Sequence, residues 1–159
     1  MPKKIDLATA PRRDGTLYPP PYDEPCRARR RVGVGDAAGL TQFGVNLCTL
    51  PPGAWSSQRH WHSKEDELIQ VVSGEVVLVT DAGEETLRAG DWAGFKAGDP
   101  NGHSFQNRSK ENVVLLEIGS RFEDDEAFYP DLDMRTVAGK DEYFHRDGKT
   151  SYGPQPRRT

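Results

Sequence analysis

The sequence contains the stretch RHWHSKEDE at 59–67, in which two histidines stand two residues apart and acidic residues follow closely. Side chains two apart on an extended strand point to the same face, so His60 and His62 would project together. Paired imidazoles with a carboxylate nearby are donors that suit a divalent metal ion. The stretch therefore predicts a metal site, provided that the remainder of the chain supplies further ligands.

Two more residues are candidates to complete such a site. Glu67 opens the next apolar run, on the face shared by Ile69 and Val71, where an unpaired carboxylate would be costly to bury. His103 follows the turn-rich segment KAGDPNGH. Three imidazoles and one carboxylate suit Mn, Fe, Ni, Co, Cu or Zn and leave positions open for water or substrate.

Alternatives remain open at several of these positions. If the strand register slips, Glu65 or Asp66 would replace Glu67 as the carboxylate, although such acids more often form a solvated loop face. Asn107 either holds a ligand histidine through its second ring nitrogen or caps a turn. His145, the fourth histidine, is expected at the surface of the tail.

The elements that must position these residues are short strands. Between residues 43 and 118, β-branched and apolar runs recur between turn signals, and no window shows the spacing of an amphipathic helix. The runs are FGVNLCTL, RHWH, ELIQVV, EVVLVT, ETLRAGDWAGF and NVVLLEI. Such a series predicts an all-β sandwich or barrel.

The segments on either side of these runs differ in composition. Residues 1–42 are rich in Pro, Arg and Gly and predict an extended N-terminal arm that docks on the barrel or on a second subunit. The arginine cluster at 27–31 is interpreted as a solvated charge run without function. For residues 121–159 the sequence predicts a C-terminal tail with one short strand. One barrel domain at 43–120 with two arms is the predicted organisation of the 159 residues.

Charge and hydropathy favour small solutes as partners. The net charge is -4, with 21 basic and 25 acidic residues, so no global field favours nucleic acid or an anionic membrane. No apolar run resembles a membrane span or a secretory signal, which predicts a cytoplasmic location with Cys26 and Cys48 as free thiols. The polar arms, together with outward apolar residues such as Leu68 and Val72, predict a homodimer.

The candidate residues fall into two motifs that resemble those of the cupin superfamily, in particular its small single-domain members of bacterial type. The resemblance covers residues 43–120, about half of the chain. The first motif is filled by Gly53, His60, His62, Glu67 and Gly74, and the second by Gly90, Asp91, Gly98, His103 and Asn107.

Three departures from the family pattern are visible. Six residues separate Gly53 from His60 where five is usual, and Lys96 occupies the place of a common proline. His103 comes two residues later after Gly98 than in the family pattern. The loop that leads to His103 is therefore longer than in the family.

The resemblance implies a double-stranded β-helix, or jelly-roll, barrel with one divalent metal ion inside. The ion would be Mn, Fe, Ni or Zn, held by His60, His62, Glu67 and His103. Cupins with such ligands include dioxygenases, decarboxylases, isomerases and lyases, and no residue here separates these reactions.

The function that we expect is that of a metal-dependent enzyme. Its substrate would be a small oxygen-rich metabolite, such as a hydroxy or keto acid or a sugar derivative, coordinated in a bidentate manner. No catalytic base is evident, and Glu65 or Asp66 near the mouth is the nearest candidate. The alternative is a non-catalytic binding module that senses a metabolite or a metal.

Overall fold

Strands dominate the computed structural model, which describes residues 4–159. The helices in this part of the chain are one 3-10 turn (Glu24–Cys26) and one short helix, α1 (Val34–Ala37). No helix within residues 4–159 has the length and apolar character needed to cross a membrane. The strands are β1 (Arg30–Gly33), β2 (Phe43–Leu50), β3 (Trp61–His62), β4 (Glu67–Ser73), β5 (Glu75–Thr80), β6 (Gly83–Arg88), β7 (Trp92–Phe95), β8 (Ser104–Gln106), β9 (Val113–Ser120), β10 (Ala127–Tyr129), β11 (Met134–Thr136) and β12 (Tyr143–Phe144).

Three antiparallel sheets make up the fold, and the all-β prediction is confirmed. Five strands form one sheet in the order β1-β2-β9-β4-β7, and three form a second in the order β6-β5-β8. A third sheet, β12-β11-β10-β3, is built from the C-terminal strands and the histidine strand β3. Aliphatic side chains of the first two sheets share one core, which is the arrangement of a jelly-roll barrel.

The core is filled by alternate residues of the strands. Val71 on β4, Val76 on β5 and Leu115 on β9 are each at most 1% exposed. Burial of an aliphatic side chain of this size stabilises the fold by roughly 1.5 to 3 kcal/mol. The tight turn between β4 and β5 requires glycine at position 74, where φ is +85° and an added Cβ would lie 2.8 Å from Asn112 O.

Both terminal segments pack on the barrel of the same chain. In the N-terminal arm, β1 pairs with β2 and so extends the five-stranded sheet. Tyr18 and Cys26 of this arm share a second core with Ala127, Tyr129 and Met134 of the C-terminal segment. Three strands, β10 to β12, lie in the C-terminal segment, so the prediction of one short strand is wrong. Each has only two or three residues, too few to show alternation in the sequence.

The structure bears on the prediction for the cysteines but not on that for the domain boundaries. Cys26 and Cys48 are both free and fully buried, as predicted for thiols. The domain boundaries at 42 and 120 stay a prediction.

The arginine cluster is divided between the inside and the outside of the fold. Arg29 is 8% exposed, and Arg31 forms two hydrogen bonds of 2.8 Å to the carboxylate of Glu117. Because side chains alternate along a strand, Arg30 points outward between them and is exposed. The interpretation of a wholly solvated charge run is therefore wrong for Arg29 and Arg31.

We predict that Glu117→Gln destabilises the fold because it removes the charge that neutralises Arg31. The two side chains are 20% and 14% exposed. Loss of one charge from a largely buried pair leaves the other unpaired, so the free energy of unfolding in urea should fall by about 3 kcal/mol.

Glu84→Gln provides a matched control for this substitution. Glu84 forms the same two-bond pair with Arg108, but at the surface, so its loss should change stability little. Equal losses in the two variants would contradict the argument from burial.

Candidate functional site

Two chain segments bring three histidines together. The residues His60 and His103 form an antiparallel bridge, in which the His60 N–H donates to His103 O (3.1 Å) and the His103 N–H donates to His60 O (2.9 Å). The ring centroids of His60 and His103 are 4.8 Å apart, and those of His60 and His62 are 5.0 Å apart. The predicted convergence of the RHWH segment with the segment after KAGDPNGH is therefore present.

Glu67, the first residue of β4, supplies a carboxylate at the centre of these rings. Its Oε2 lies 2.8 Å from His103 Nε2, 3.8 Å from His60 Nε2 and 3.7 Å from His62 Nε2. One donor atom each of His60, His62 and Glu67 lies within 4.8 Å of the other two. His103 joins this group through its contact with Glu67. We call these four residues the His–Glu centre.

Hydrogen bonds at the outer ring nitrogens orient two of the imidazoles. His60 Nδ1 lies 2.9 Å from the carbonyl oxygen of Gln58, and His62 Nδ1 lies 2.6 Å from Asp125 Oδ2. Both partners accept hydrogen bonds, so each Nδ1 carries the proton. In a neutral ring the Nε2 lone pair then faces Glu67, which is the orientation that metal binding requires.

His103 is held in a different way. Its ring stacks on that of Phe95, with centroids 3.6 Å apart and planes inclined by 8°. The side chain of His103 is 4% exposed, and its Nδ1 has no hydrogen-bond partner in the described part of the chain. Packing against an aromatic ring, not a polar partner, therefore fixes the orientation of this imidazole.

Asp125 is a part of the site that the sequence analysis missed. Besides binding His62, its carboxylate accepts hydrogen bonds from the 63–65 segment. Asp125 lies within the acidic run EDDE, where its neighbour Asp124 pairs with a surface lysine. Only the pairing of β10 with β3, which sets Ala127 opposite His62, separates the two aspartates. No local signal in the sequence could have done so.

Asn107 does not contact a histidine, and its hydrogen bonds correspond to the turn-capping alternative. Its side-chain nitrogen donates to Leu50 O (2.7 Å) and Glu111 O (2.8 Å). Its side-chain oxygen accepts from the N–H and the hydroxyl of Ser109. The bonding capacity of the amide is used in the turn after β8, so nothing is left to orient an imidazole.

The structure also distinguishes Glu67 from the two alternative carboxylates, Glu65 and Asp66. Glu65 Oε2 is 3.8 Å from the outer nitrogen of His62, and its Oε1 accepts from the Phe122 N–H. Burial raises the pKa of Glu65, although that hydrogen bond opposes the shift. Asp66 is exposed and accepts from the Ala97 N–H. Neither carboxylate reaches the Nε2 atoms as Glu67 does.

The fourth histidine lies outside the centre. His145 is in the C-terminal segment, where its Nδ1 is 2.6 Å from Asp133 Oδ2. Its side chain is 35% exposed, which agrees with the prediction of a position near the surface.

Burial and charge act in opposite directions on the pKa values of the centre. Burial lowers the pKa of His60 to about 3, so this ring stays neutral. Burial also lowers the pKa of His62, but the bond to Asp125 and the charge of Glu67 outweigh it, and the pKa is raised. Burial would raise the pKa of Glu67, yet the surrounding imidazoles hold it well below its usual range. The centre therefore keeps an ionised carboxylate beside a neutral imidazole.

The donor set fits a divalent transition-metal ion. Glu67 Oε2 is buried and accepts no hydrogen bond of normal geometry from the described residues, although His103 Nε2 lies 2.8 Å away. A buried carboxylate oxygen without a donor is costly, and a cation would remove that cost. Three nitrogens and one oxygen suit a transition metal better than Mg²⁺ or Ca²⁺, which prefer oxygen ligands.

The His–Glu centre lies in the walls of two cavities. The larger, of about 410 Å³, is bounded by the barrel interior and by both terminal segments, through residues such as Tyr18 and Tyr143. The smaller, of about 220 Å³, is lined by Trp61, Lys96 and Asn101 among others. Glu65, Glu67 and His103 line both. The larger cavity has space for a small metabolite.

Comparisons with known proteins agree with this architecture. A family model described as the cupin domain matches residues 46–119. A sugar phosphate isomerase of the cupin superfamily from Silicibacter pomeroyi is 42% identical, covers 96% of this chain and 99% of its own, and superposes with a TM-score of 0.88. A candidate sugar phosphate isomerase from Acidithiobacillus ferrooxidans is 32% identical, covers 73% of this chain and 74% of its own, and has a TM-score of 0.69.

A more distant structure shares less of the chain. A cupin protein from Bacteroides fragilis is 28% identical over 57% of this chain and 75% of its own, with a TM-score of 0.51. No curated protein matches the sequence. The jelly-roll barrel, the domain match and the near full-length likeness together show that the chain belongs to the cupin superfamily.

Proposed function

We propose that the chain is a metal-dependent isomerase that acts on a small sugar phosphate. The observation that carries the proposal is the convergence of the Nε2 atoms of three histidines on one buried oxygen of Glu67. This oxygen accepts no hydrogen bond of normal geometry, and it lies beside a cavity of about 410 Å³. The relative from Silicibacter pomeroyi, described as a sugar phosphate isomerase, is 42% identical to the chain and narrows the expected class of reaction.

The four residues of the His–Glu centre would hold the ion, which we expect to be Mn, Fe, Ni or Zn. Such an ion polarises adjacent oxygens of a hydroxy-carbonyl substrate. Gln58 and Asp125 keep the rings of His60 and His62 in place for this role. On the cavity side, apolar side chains such as Ile69 and Phe105 limit access of water.

Isomerisation also needs a group that takes a proton from one carbon atom and returns it to the neighbouring one. Glu65 has the required position, because it lies beside the centre and lines both cavities. The other glutamates of the larger cavity are engaged, Glu67 in the centre and Glu117 with Arg31. We therefore assign the proton transfer to Glu65.

The most direct test of the metal site is His62→Ala. This change removes one ligand nitrogen from the edge of the cavity and leaves the barrel core intact. We expect metal content, measured by elemental analysis of protein purified without a chelating tag, to fall from about one ion per chain to nearly none. Circular dichroism should show an unchanged fold.

Matched controls test whether metal is lost because a ligand is removed or because any histidine is removed. His145→Ala removes an imidazole whose Nδ1 also lies 2.6 Å from an aspartate, and it should leave metal content unchanged. Asp125→Asn should weaken metal affinity by about 10- to 100-fold through loss of the partner of His62, whereas Asp133→Asn should not. Full metal retention in His62→Ala would contradict the site.

The proposed proton transfer is tested by Glu65→Gln. The amide has the size of the carboxylate but cannot accept and return a proton, so kcat should fall by about 10²-fold or more while metal content is unchanged. The assay follows interconversion of aldose and ketose phosphates by NMR with metal-loaded protein. Asp66→Asn, one residue along and outside both cavities, should behave like wild type.

The same assay decides between an enzyme and a non-catalytic module. Product that forms only with metal-loaded protein supports the isomerase. A sensor would instead gain thermal stability from a sugar phosphate without forming product, and that result would replace our proposal.

A homodimer remains part of the proposal. The outer face of the five-stranded sheet carries Leu68 and Trp92, which are 41% and 52% exposed. We expect sedimentation at micromolar concentration to show the mass of two chains, and Leu68→Asp to shift it toward one. A monomeric wild type would refute the dimer without affecting the metal site. The cytoplasmic location also stays a prediction.

A further inference from the structure

The wall of the larger cavity contains more positive than negative groups. Its arginines are Arg13, Arg29, Arg31, Arg121 and Arg157, and its acids are Glu65, Glu67 and Glu117. Three of the arginines are paired with carboxylates, since Arg31 binds Glu117, while Arg13 and Arg121 share Asp36. Within residues 4–159, no carboxylate oxygen lies within 4.0 Å of the remaining two, Arg29 and Arg157.

Arg29 is a buried cation that is held by neutral groups only. Its guanidinium donates to Gly15 O (2.9 Å), to Thr16 Oγ1 (3.3 Å) and to Ser56 O, and it lies over the ring of Tyr18. These contacts use three of the five N–H donors of an arginine. A buried positive charge without a carboxylate is unfavourable unless an anion meets it. Arg29 therefore has both the charge and the free donors to bind one.

Arg157 carries the second unpaired charge, near the C-terminal end of the chain. Its side chain is largely free, with one hydrogen bond from Nη1 to Asp14 O (3.3 Å). Burial and the neighbouring charges of Arg29 and Arg13 lower the pKa of Arg157. Arg157 thus adds its charge to those of Arg29 and Arg13, and in the described part of the chain no carboxylate pairs with it.

The main chain fixes the relative positions of these two arginines. Thr16 and Arg158 form an antiparallel bridge through two hydrogen bonds of 2.9 Å, and Arg29 binds the same 15–16 segment. Position 15 must be glycine for this approach, because φ is +73° and an added Cβ would lie 2.0 Å from Arg158 O. The two terminal segments are therefore built to meet at the cavity, with Arg157 next to the bridge.

We propose that Arg29 and Arg157 form the subsite that binds the phosphate group of the substrate. The assignment rests on the proposed function, since it concerns the same substrate and the same cavity as the His–Glu centre. Both arginines lie outside residues 46–119, the part of the chain that matches the cupin domain. The terminal segments would thus supply recognition of the phosphate, and the barrel would supply the reactive centre.

The number of donors favours a phosphate over a carboxylate. A phosphate monoester has three terminal oxygens and close to two negative charges at neutral pH, and two guanidinium groups match both features. A carboxylate has one charge and two oxygens, for which a single arginine fork is sufficient. Two unpaired arginines in one cavity therefore indicate the dianion.

Calorimetric titration with inorganic phosphate tests the subsite on the protein as purified. We expect wild-type protein to bind one phosphate per chain, and Arg157→Gln to bind it about ten-fold more weakly or worse, because a charged hydrogen-bond partner is lost. Arg157 is exposed, so this substitution should not affect folding. Arg29→Lys, which keeps the charge but loses the planar fork, should also weaken binding.

Arg30→Gln is the matched control. It removes the same charge one residue from Arg29, but from the outer face of the sheet, and should bind phosphate like wild type. Equal phosphate affinity of Arg157→Gln and wild type would overturn the subsite, because phosphate would then bind elsewhere, for example at the His–Glu centre. Absence of phosphate binding by wild type, or acetate competing as well as phosphate, would also overturn it.

A kinetic readout separates this inference from the proposed function. For a phosphorylated sugar that the enzyme converts, Arg157→Gln should raise KM about ten-fold with little change in kcat, and its metal content should equal that of wild type. If Arg157→Gln loses phosphate binding but the wild type converts no sugar phosphate, the subsite is supported and the isomerase is refuted. If Arg157→Gln converts the sugar phosphate with an unchanged KM, the isomerase is supported and the subsite is refuted.

Discussion

The ionised carboxylate of Glu67, buried among three imidazoles, is the constraint on which the rest of the site depends. Glu67 lies on β4, which is hydrogen-bonded to β7 on one side and to β9 on the other. This pairing on both sides fixes the backbone of Glu67 and directs its side chain to the inner face of the sheet. Burial alone would favour the neutral acid, but the surrounding imidazoles, His103 at 2.8 Å first among them, lower the pKa of Glu67.

Each imidazole around Glu67 is oriented by a different part of the chain. A main-chain carbonyl two residues away orients His60, a carboxylate of the C-terminal segment orients His62, and the ring of Phe95 on β7 orients His103. The centre thus depends on the third sheet as well as on the barrel core. Its geometry is a property of the whole fold, although its donor atoms come from two short segments and the start of β4.

The parts of this arrangement that depend on local pattern could be predicted from the sequence. Alternation in RHWH and ELIQVV was sufficient to place His60, His62 and Glu67 on inward faces. Asp125 and Arg29 could not be recognised, because their roles come from contacts between residues far apart in the chain. Asp125 reaches His62 across 63 residues, and Arg29 reaches Ser56 across 27. From the sequence alone, an aspartate in an acidic run and an arginine in a basic run are both expected at the solvated surface. Only the pairing of the strands shows that these two are buried in contacts.

The proposed reactive centre and the proposed phosphate subsite lie in different parts of this chain. The His–Glu centre falls within residues 46–119, the region that the cupin domain shares, whereas all five arginines that line the larger cavity lie outside that region. The relative from Silicibacter pomeroyi matches 96% of the chain and so includes most of both segments, while the cupin from Bacteroides fragilis matches 57%. A barrel with the same four residues but without these segments would lose the basic wall, and it would also lose Asp125, the partner of His62. Differences in substrate among such cupins should then follow the terminal segments more closely than the ligands.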